Sequence, residues 1–189
     1  MKYYHKNNLN MQKHFAFNVW SVNSAKAIID ASLEMKQTIF IQVSAKVFDE
    51  IDTEEFILSV KKYIHKKNAS VIVHLDHSKD INQIRNAINL GWDSVMIDGS
   101  HLPLKENIAL TNRVVDLAKT KNVLVEAEIG QIKGVEDGII VDRETSVSIE
   151  DVQNFVSSTN VDLLAVAIGT AHGQYGEMQP NINYTLLKK

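Results

Sequence analysis

The segment His74-Leu75-Asp76-His77 sets two imidazoles around a carboxylate within four residues. On an extended strand His74 and Asp76 share one face, and Leu75 and His77 the other. Where a strand ends the alternation relaxes, which lets Asp76 and His77 both reach one mouth. A carboxylate beside a metal-binding imidazole can do acid/base work while the metal acts as a Lewis acid. The chain has no cysteine, so any metal must sit on His, Asp and Glu. The same lack removes disulfide frameworks, thiolate nucleophiles and iron–sulfur sites. The distance in sequence from His77 to His172 carries no metal signature of its own, unlike HExxH.

Other polar residues recur at comparable places. Asn18 follows one apolar run and Ser44 a second, Asp98 and Ser100 follow a fourth, Glu126 and Glu128 end a fifth, and His172 follows a sixth. Each alone has a dull explanation. A lone His at a strand end is more often a hydrogen-bonded structural residue than a ligand, and Asp98-Gly99 reads first as turn chemistry. Recurrence at the same end of successive strands is what marks a site.

The elements that must position these groups alternate. Short β-branched runs at Phe15–Val19, Thr38–Ser44, Val71–His77, Ser94–Ser100, Val123–Gly130 and Leu163–Gly169 read as buried strands. Between them lie amphipathic stretches. Ala25, Ile28, Ile29 and Leu33 share one face, and Phe56, Val60, Tyr63 and Ile64 another, opened by Asp52 and Glu55 in a capping-box pattern. Asp80 and Gln83 open a third helix with Ile81, Ile84 and Ile88 as its stripe, and Gly91 closes it. Leu104–Lys119 is predicted helical with Leu104, Ile108, Val115 and Ala118 inward, and Ser148–Ser158 with Ser148 and Asp151 as caps. Gly130 to Thr145 is a long charged connection, read either as a hairpin on the surface or as a lid over the site.

Repeated strand–helix units mean an α/β fold with a parallel sheet. A doubly wound sheet would bind a nucleotide at a glycine-rich first turn. The first turn here is Asn18-Val19-Trp20-Ser21, and neither GxGxxG nor GxxxxGK[ST] occurs. A TIM barrel instead gathers side chains at the C-terminal ends of its strands, as this sequence does. Its 189 residues suit a single domain over 1–189, and a net charge of -3 gives no reason to expect nucleic acid as a partner. No apolar run is long enough for a membrane helix and the first residues lack a signal-peptide core, so a cytoplasmic protein is expected.

The ordered segments AFNV (16–19), QVS (42–44), HLDH (74–77), GWDSVMIDGS (91–100), NIALTNRVV (107–115), VEAEIG (125–130), GVEDG (134–138) and DLLAVAIGTAHGQY (162–175) resemble class II, zinc-dependent fructose-bisphosphate and tagatose-bisphosphate aldolases. The resemblance implies a TIM (β/α)₈-type barrel that cleaves or condenses a ketose bisphosphate at dihydroxyacetone phosphate, with Zn²⁺ as cofactor and room for a monovalent cation. It implies Asp76 as the carboxylate that moves the hydroxyl proton at the bond cleaved, and His77 and His172 as zinc ligands. Glu128 is implied as the ligand of a withdrawn zinc position, and Glu136 as the loop acid/base for the enolising proton. Gly173 would offer its N–H to the triose phosphate, and Asn18 and Ser44 would contact the substrate's other end. A phosphorylated sugar is then the small-molecule partner, and a homo-oligomer the expected assembly.

Two departures, Ser78 for a usual glycine and Trp92 for a usual phenylalanine, are conservative. The end of the chain differs more. A full barrel takes roughly 250 residues, and no His follows His172, so the segments resembling LHGGSG, with a third zinc histidine, and NxDT are missing. The expectation is therefore an incomplete barrel of about six βα units, truncated at its C-terminus, with weak zinc affinity and exposed sheet edges that favour association. A fragment, a truncated gene whose product is a remnant or closes its barrel with a second copy, and replacement of the missing ligands in trans are all compatible with this. A lyase and a non-catalytic binding or scaffold protein on the same barrel both remain open.

Overall fold

The computed structural model describes residues 14–136, 139–142, 145, 147–173, 175 and 179–188. Strands β1 (Phe15–Asn18), β2 (Ile39–Ser44), β3 (Val71–Ser78), β4 (Ser94–Ile97) and β5 (Leu124–Ile129) fall on the first five apolar runs. The hairpin strands β6 (Lys133–Glu136) and β7 (Ile139–Val141) follow, and β8 (Leu163–Val166) falls on the sixth run. A short β9 (Ala171–His172) comes last. The helices are α1 (Val22–Met35), α2 (Ala45–Glu50), α3 (Thr53–Lys67), α4 (Ile81–Leu90), α5 (Leu104–Lys119), α6 (Ile149–Ser158) and α7 (Tyr184–Leu187).

Six strands form one all-parallel sheet in the order β1-β2-β3-β4-β5-β8. Each strand is added beside its predecessor, so the order never reverses and no crevice of the nucleotide-binding kind arises. The sheet is a parallel half-barrel. Among the described residues its two edge strands each have an unpaired side: β1 is exposed throughout and β8 half-buried, while β2 to β5 are buried along most of their length.

The two faces of the sheet differ in chemistry. Ile39, Ile41, Val43, Val71, Val73, Leu75, Val95, Ile97, Val125 and Ala127 join the helices in the main core. The alternate residues turn the other way. Phe40, Ile72 and Leu124 form a separate apolar floor on that face. Above it the same strands carry Gln42, His74 and Glu126, and then Ser44, Asp76 and Glu128 at their C-terminal ends.

Local signals explain most helix boundaries. Ser21 with Ser24 opens α1, and Ser148 with Asp151 opens α6, each by a complete capping box. Asp52 caps α3 by accepting from Glu55 N. At α4 the expected pairing of Asp80 with Gln83 is not formed. Asp80 accepts from Asn82 N, and Gln83 instead donates to Ala45 O and Asp49 and accepts from Ser78. Gln83 thereby ties α2, β3 and α4 together.

Helix α5 corrects the predicted inner face. Its most buried residues are Asn107, Thr111, Val114 and Ala118, with Leu104, Ile108 and Val115 only flanking the core. The polar pair is inside because it is satisfied there: Asn107 Nδ2 donates to Glu128 O at 2.8 Å, and Thr111 donates to Asn107 Oδ1. The connection after Gly130 contains a hairpin, as one reading expected: β6 pairs antiparallel with β7 and parallel with β9. Among the described residues no helix is long and apolar enough to cross a membrane.

Candidate metal centre and active site

The site begins with a break in β3. The register against β4 shifts between Leu75 and Ser78, and His77 takes a left-handed backbone conformation with φ 50°. That conformation is uncommon outside glycine, and it costs energy that neighbouring structure must hold. Its effect is geometric. Leu75 stays in the helix-side core, Asp76 points to the inner face, and His77 swings round to the same mouth instead of to the opposite face.

There His77 Nδ1 lies 3.6 Å from Glu128 Oε2 and 3.8 Å from Asp98 Oδ2. One ligand atom from each of His77, Asp98 and Glu128 falls within 4.8 Å of the other two. His172, delivered by β9, sets its ring edge-on to His77 with centroids 5.3 Å apart. The mouth is a cleft of about 180 Å³, and its lining includes Lys46, Lys79, Ser100, Gln131 and Val141 beside the three-residue cluster and His172.

Asp98 does two things at once. Its Oδ1 accepts from Ser100 N at 3.0 Å and Ser100 Oγ at 2.6 Å, the turn chemistry expected of Asp-Gly. Its Oδ2 faces His77 and Lys79, the latter at 3.4 Å. Burial pushes its carboxyl up, but His77, Ser100 and Lys79 outweigh that and hold it well below the usual carboxylate range. A carboxylate held ionised by its neighbours suits cation binding. The sequence places Asp98 among the polar residues that recur at strand ends, but turn chemistry is the first reading of Asp98-Gly99 and no ligand role follows from it.

Asp76 stands outside the cluster, with Oδ1 4.0 Å from His77 Nε2 and 3.7 Å from His74 Nε2. Burial raises its affinity for a proton, yet His74, the charge of His77 and Gln42 prevail and leave it ionised below its ordinary range. Glu126 behaves oppositely, since burial dominates and holds its carboxyl above the ordinary value.

Of the remaining expected site residues, Gly173 follows His172 and has φ 78°. Asn18 is exposed at the end of β1, and the Ser44 hydroxyl accepts weakly from Val47 N at 3.4 Å as the cap of α2. Neither Asn18 nor Ser44 lines the cleft. Glu136 is the last residue of β6, and its side chain lies outside the described residues.

The donor set suits a divalent cation of intermediate softness such as zinc: a half-buried imidazole and two buried carboxylates, on three different strand ends. His77, Asp98 and Glu128 would hold such an ion, with the His172 ring beside them.

The sequence model of one family, Fructose-bisphosphate aldolase class-II, matches residues 7–189. Among solved structures, the YdjI aldolase from Escherichia coli K12 is similar, at 30% identity and TM-score 0.80 over 97% of this chain. A candidate fructose-1,6-biphosphate aldolase from Coccidioides immitis matches the same share at 25% identity and TM-score 0.83. Fructose-bisphosphate aldolase (Fba) from Campylobacter jejuni, at 18% identity and TM-score 0.70, shares the fold. The chain spans 64%, 64% and 60% of the lengths of these three.

Proposed function

Because the chain belongs to the class II fructose-bisphosphate aldolase family, we propose that it carries out zinc-dependent aldol cleavage and condensation of a ketose bisphosphate, yielding dihydroxyacetone phosphate and an aldehyde. The observation that carries this reading is the grouping of His77, Asp98 and Glu128 within 4.8 Å, with ionised Asp76 beside it but outside it. A bound zinc ion supplies Lewis-acid polarisation of the substrate carbonyl.

The chain's own residues divide the rest. Asp76 takes the hydroxyl proton at the bond that breaks; His77 cannot, since a metal-bound imidazole has no lone pair left for a proton. Glu136 handles the proton on the carbon next to the carbonyl. Its support is placement: β6 lies against β9, with Gly134 opposite His172 and position 136 two residues further on. Gly173 offers its N–H to the triose phosphate. Lys46 and Lys79 give the cleft positive charge against a doubly phosphorylated sugar. A non-catalytic scaffold on this barrel would have no use for an ionised, buried carboxylate next to a group of convergent metal-ligating side chains, so the catalytic reading is preferred.

The test uses zinc-reconstituted protein with fructose 1,6-bisphosphate and tagatose 1,6-bisphosphate as probes. Asp76→Ala should lower turnover by about 10²–10⁴ with zinc content unchanged, while His172→Ala should lose zinc and activity together. An Asp76→Ala protein that loses zinc in step with activity would mean that Asp76 orients a ligand and moves no proton.

A further inference from the structure

The mechanism above leaves one buried imidazole without a task. His74 is 1% exposed, on the inner face of β3, two residues before Asp76. Its Nδ1 is 2.8 Å from Ser94 Oγ, on the residue directly opposite it in β4, and Phe40 packs edge-on against the ring. Its Nε2 is buried and makes no hydrogen bond. That nitrogen instead points between two carboxylates, 3.7 Å from Asp76 Oδ1 and 3.6 Å from Glu126 Oε2.

A buried polar nitrogen without a hydrogen bond is costly and needs a reason. The reason here is directional. If the Ser94 hydroxyl donates to Nδ1, the ring proton sits on Nε2 and faces Asp76 and Glu126. Contacts of this length in an empty site commonly shorten when substrate arrives.

We propose that His74 is a positioning residue for Asp76: Ser94 fixes its tautomer, and its Nε2–H aligns the Asp76 carboxylate toward the substrate hydroxyl, with Glu126 as the competing acceptor on the other side. The proposal rests on the reading of Asp76 as the group that moves the hydroxyl proton. It makes His74 act through Asp76 alone, without touching substrate or metal.

A double-mutant cycle on zinc-loaded protein tests it, with fructose 1,6-bisphosphate as probe and kcat, KM, zinc content and Tm recorded for each variant. His74→Phe fills the space and removes the donor. It should lower kcat about 10–100-fold, with KM within about threefold and zinc unchanged. His74→Gln, whose amide can reach the Nε2 position, should recover about tenfold of that loss. Asp76→Ala/His74→Phe should be no slower than Asp76→Ala alone, because groups that act as a unit are not additive.

Multiplicative effects, or zinc lost in step with kcat, would overturn the role of His74. Wild-type turnover in His74→Phe beside a slow Asp76→Ala would overturn it while leaving the Asp76 reading intact. Wild-type turnover in Asp76→Ala would overturn both. Should His74→Phe fail to fold, Ser94→Ala keeps the ring but frees its orientation. It should lower kcat about 3–10-fold at unchanged zinc content, and that loss should vanish in the Asp76→Ala background; an unchanged kcat in Ser94→Ala would overturn the proposal.

Discussion

At the scale of single residues, the site depends on side chains that serve two neighbours. Asp98 closes its turn through one oxygen and faces His77 through the other. Asp98→Asn keeps the shape and the Ser100 contacts but removes the charge, so zinc affinity should fall by at least about tenfold in a chelator competition. Its second consequence concerns acid stability of the metal-free protein. The folded carboxyl of Asp98 binds protons less readily than the unfolded one, whose ordinary value is about 3.9. The stabilisation is therefore complete above that value and is lost as pH falls through and below it. Denaturant midpoints of Asp98→Asn should vary less between about pH 5 and pH 2 than those of the parent chain. Equal slopes for the two proteins would show that Asp98 gains nothing from its neighbours.

At the scale of elements, two backbone contacts tie the candidate site's positions together. Asn107 in α5 holds the carbonyl of Glu128, and so sets the end of β5 on which that carboxylate sits. Gly134 in β6 does the same for β9. A Cβ there would stand 2.7 Å from His172 N and closer still to its carbonyl oxygen, and φ of 128° excludes most other residues. The strand that carries Glu136 can thus lie against His172 only with glycine at 134. Gly134→Ala should push β6 from β9 and weaken zinc binding about 10–100-fold, with Tm lowered far less than by a core truncation. Unchanged zinc affinity, measured by competition with a chromophoric chelator, would show that the hairpin and His172 are independent.

At the scale of the molecule, the half-barrel leaves two strands with unpaired sides among the described residues. Phe15 and Phe17 on β1 are 56% and 40% exposed, on an edge whose backbone groups are open to pairing. Residues 1–189 produced alone should therefore associate as concentration rises. Sedimentation velocity across a hundredfold range should show the weight-average mass increasing, and charged substitutions at Phe15 and Phe17 should suppress the increase. A single monomeric species throughout would mean that both edges are covered in solution.

The alternation of buried runs and amphipathic stretches determined the six parallel strands and most of the helices, because periodicity and caps are local properties of the chain. The quoted motifs, HLDH above all, likewise pointed to the family and to His77, Glu128 and His172 before any coordinates. Three features were decided only by tertiary structure. Asn107 and Thr111 went inward on α5 since a strand-end carbonyl 21 residues away needed a donor, which no helical pattern records. That His77 can reach the mouth was legible in the strand end, but the means, its own left-handed backbone and a register shift against β4, was not. Asp98 joined the cluster because its second oxygen faces strands distant in sequence, while its local sequence described only the turn. Periodicity reports which face a residue prefers; which partners wait on that face is settled when the strands pack side by side.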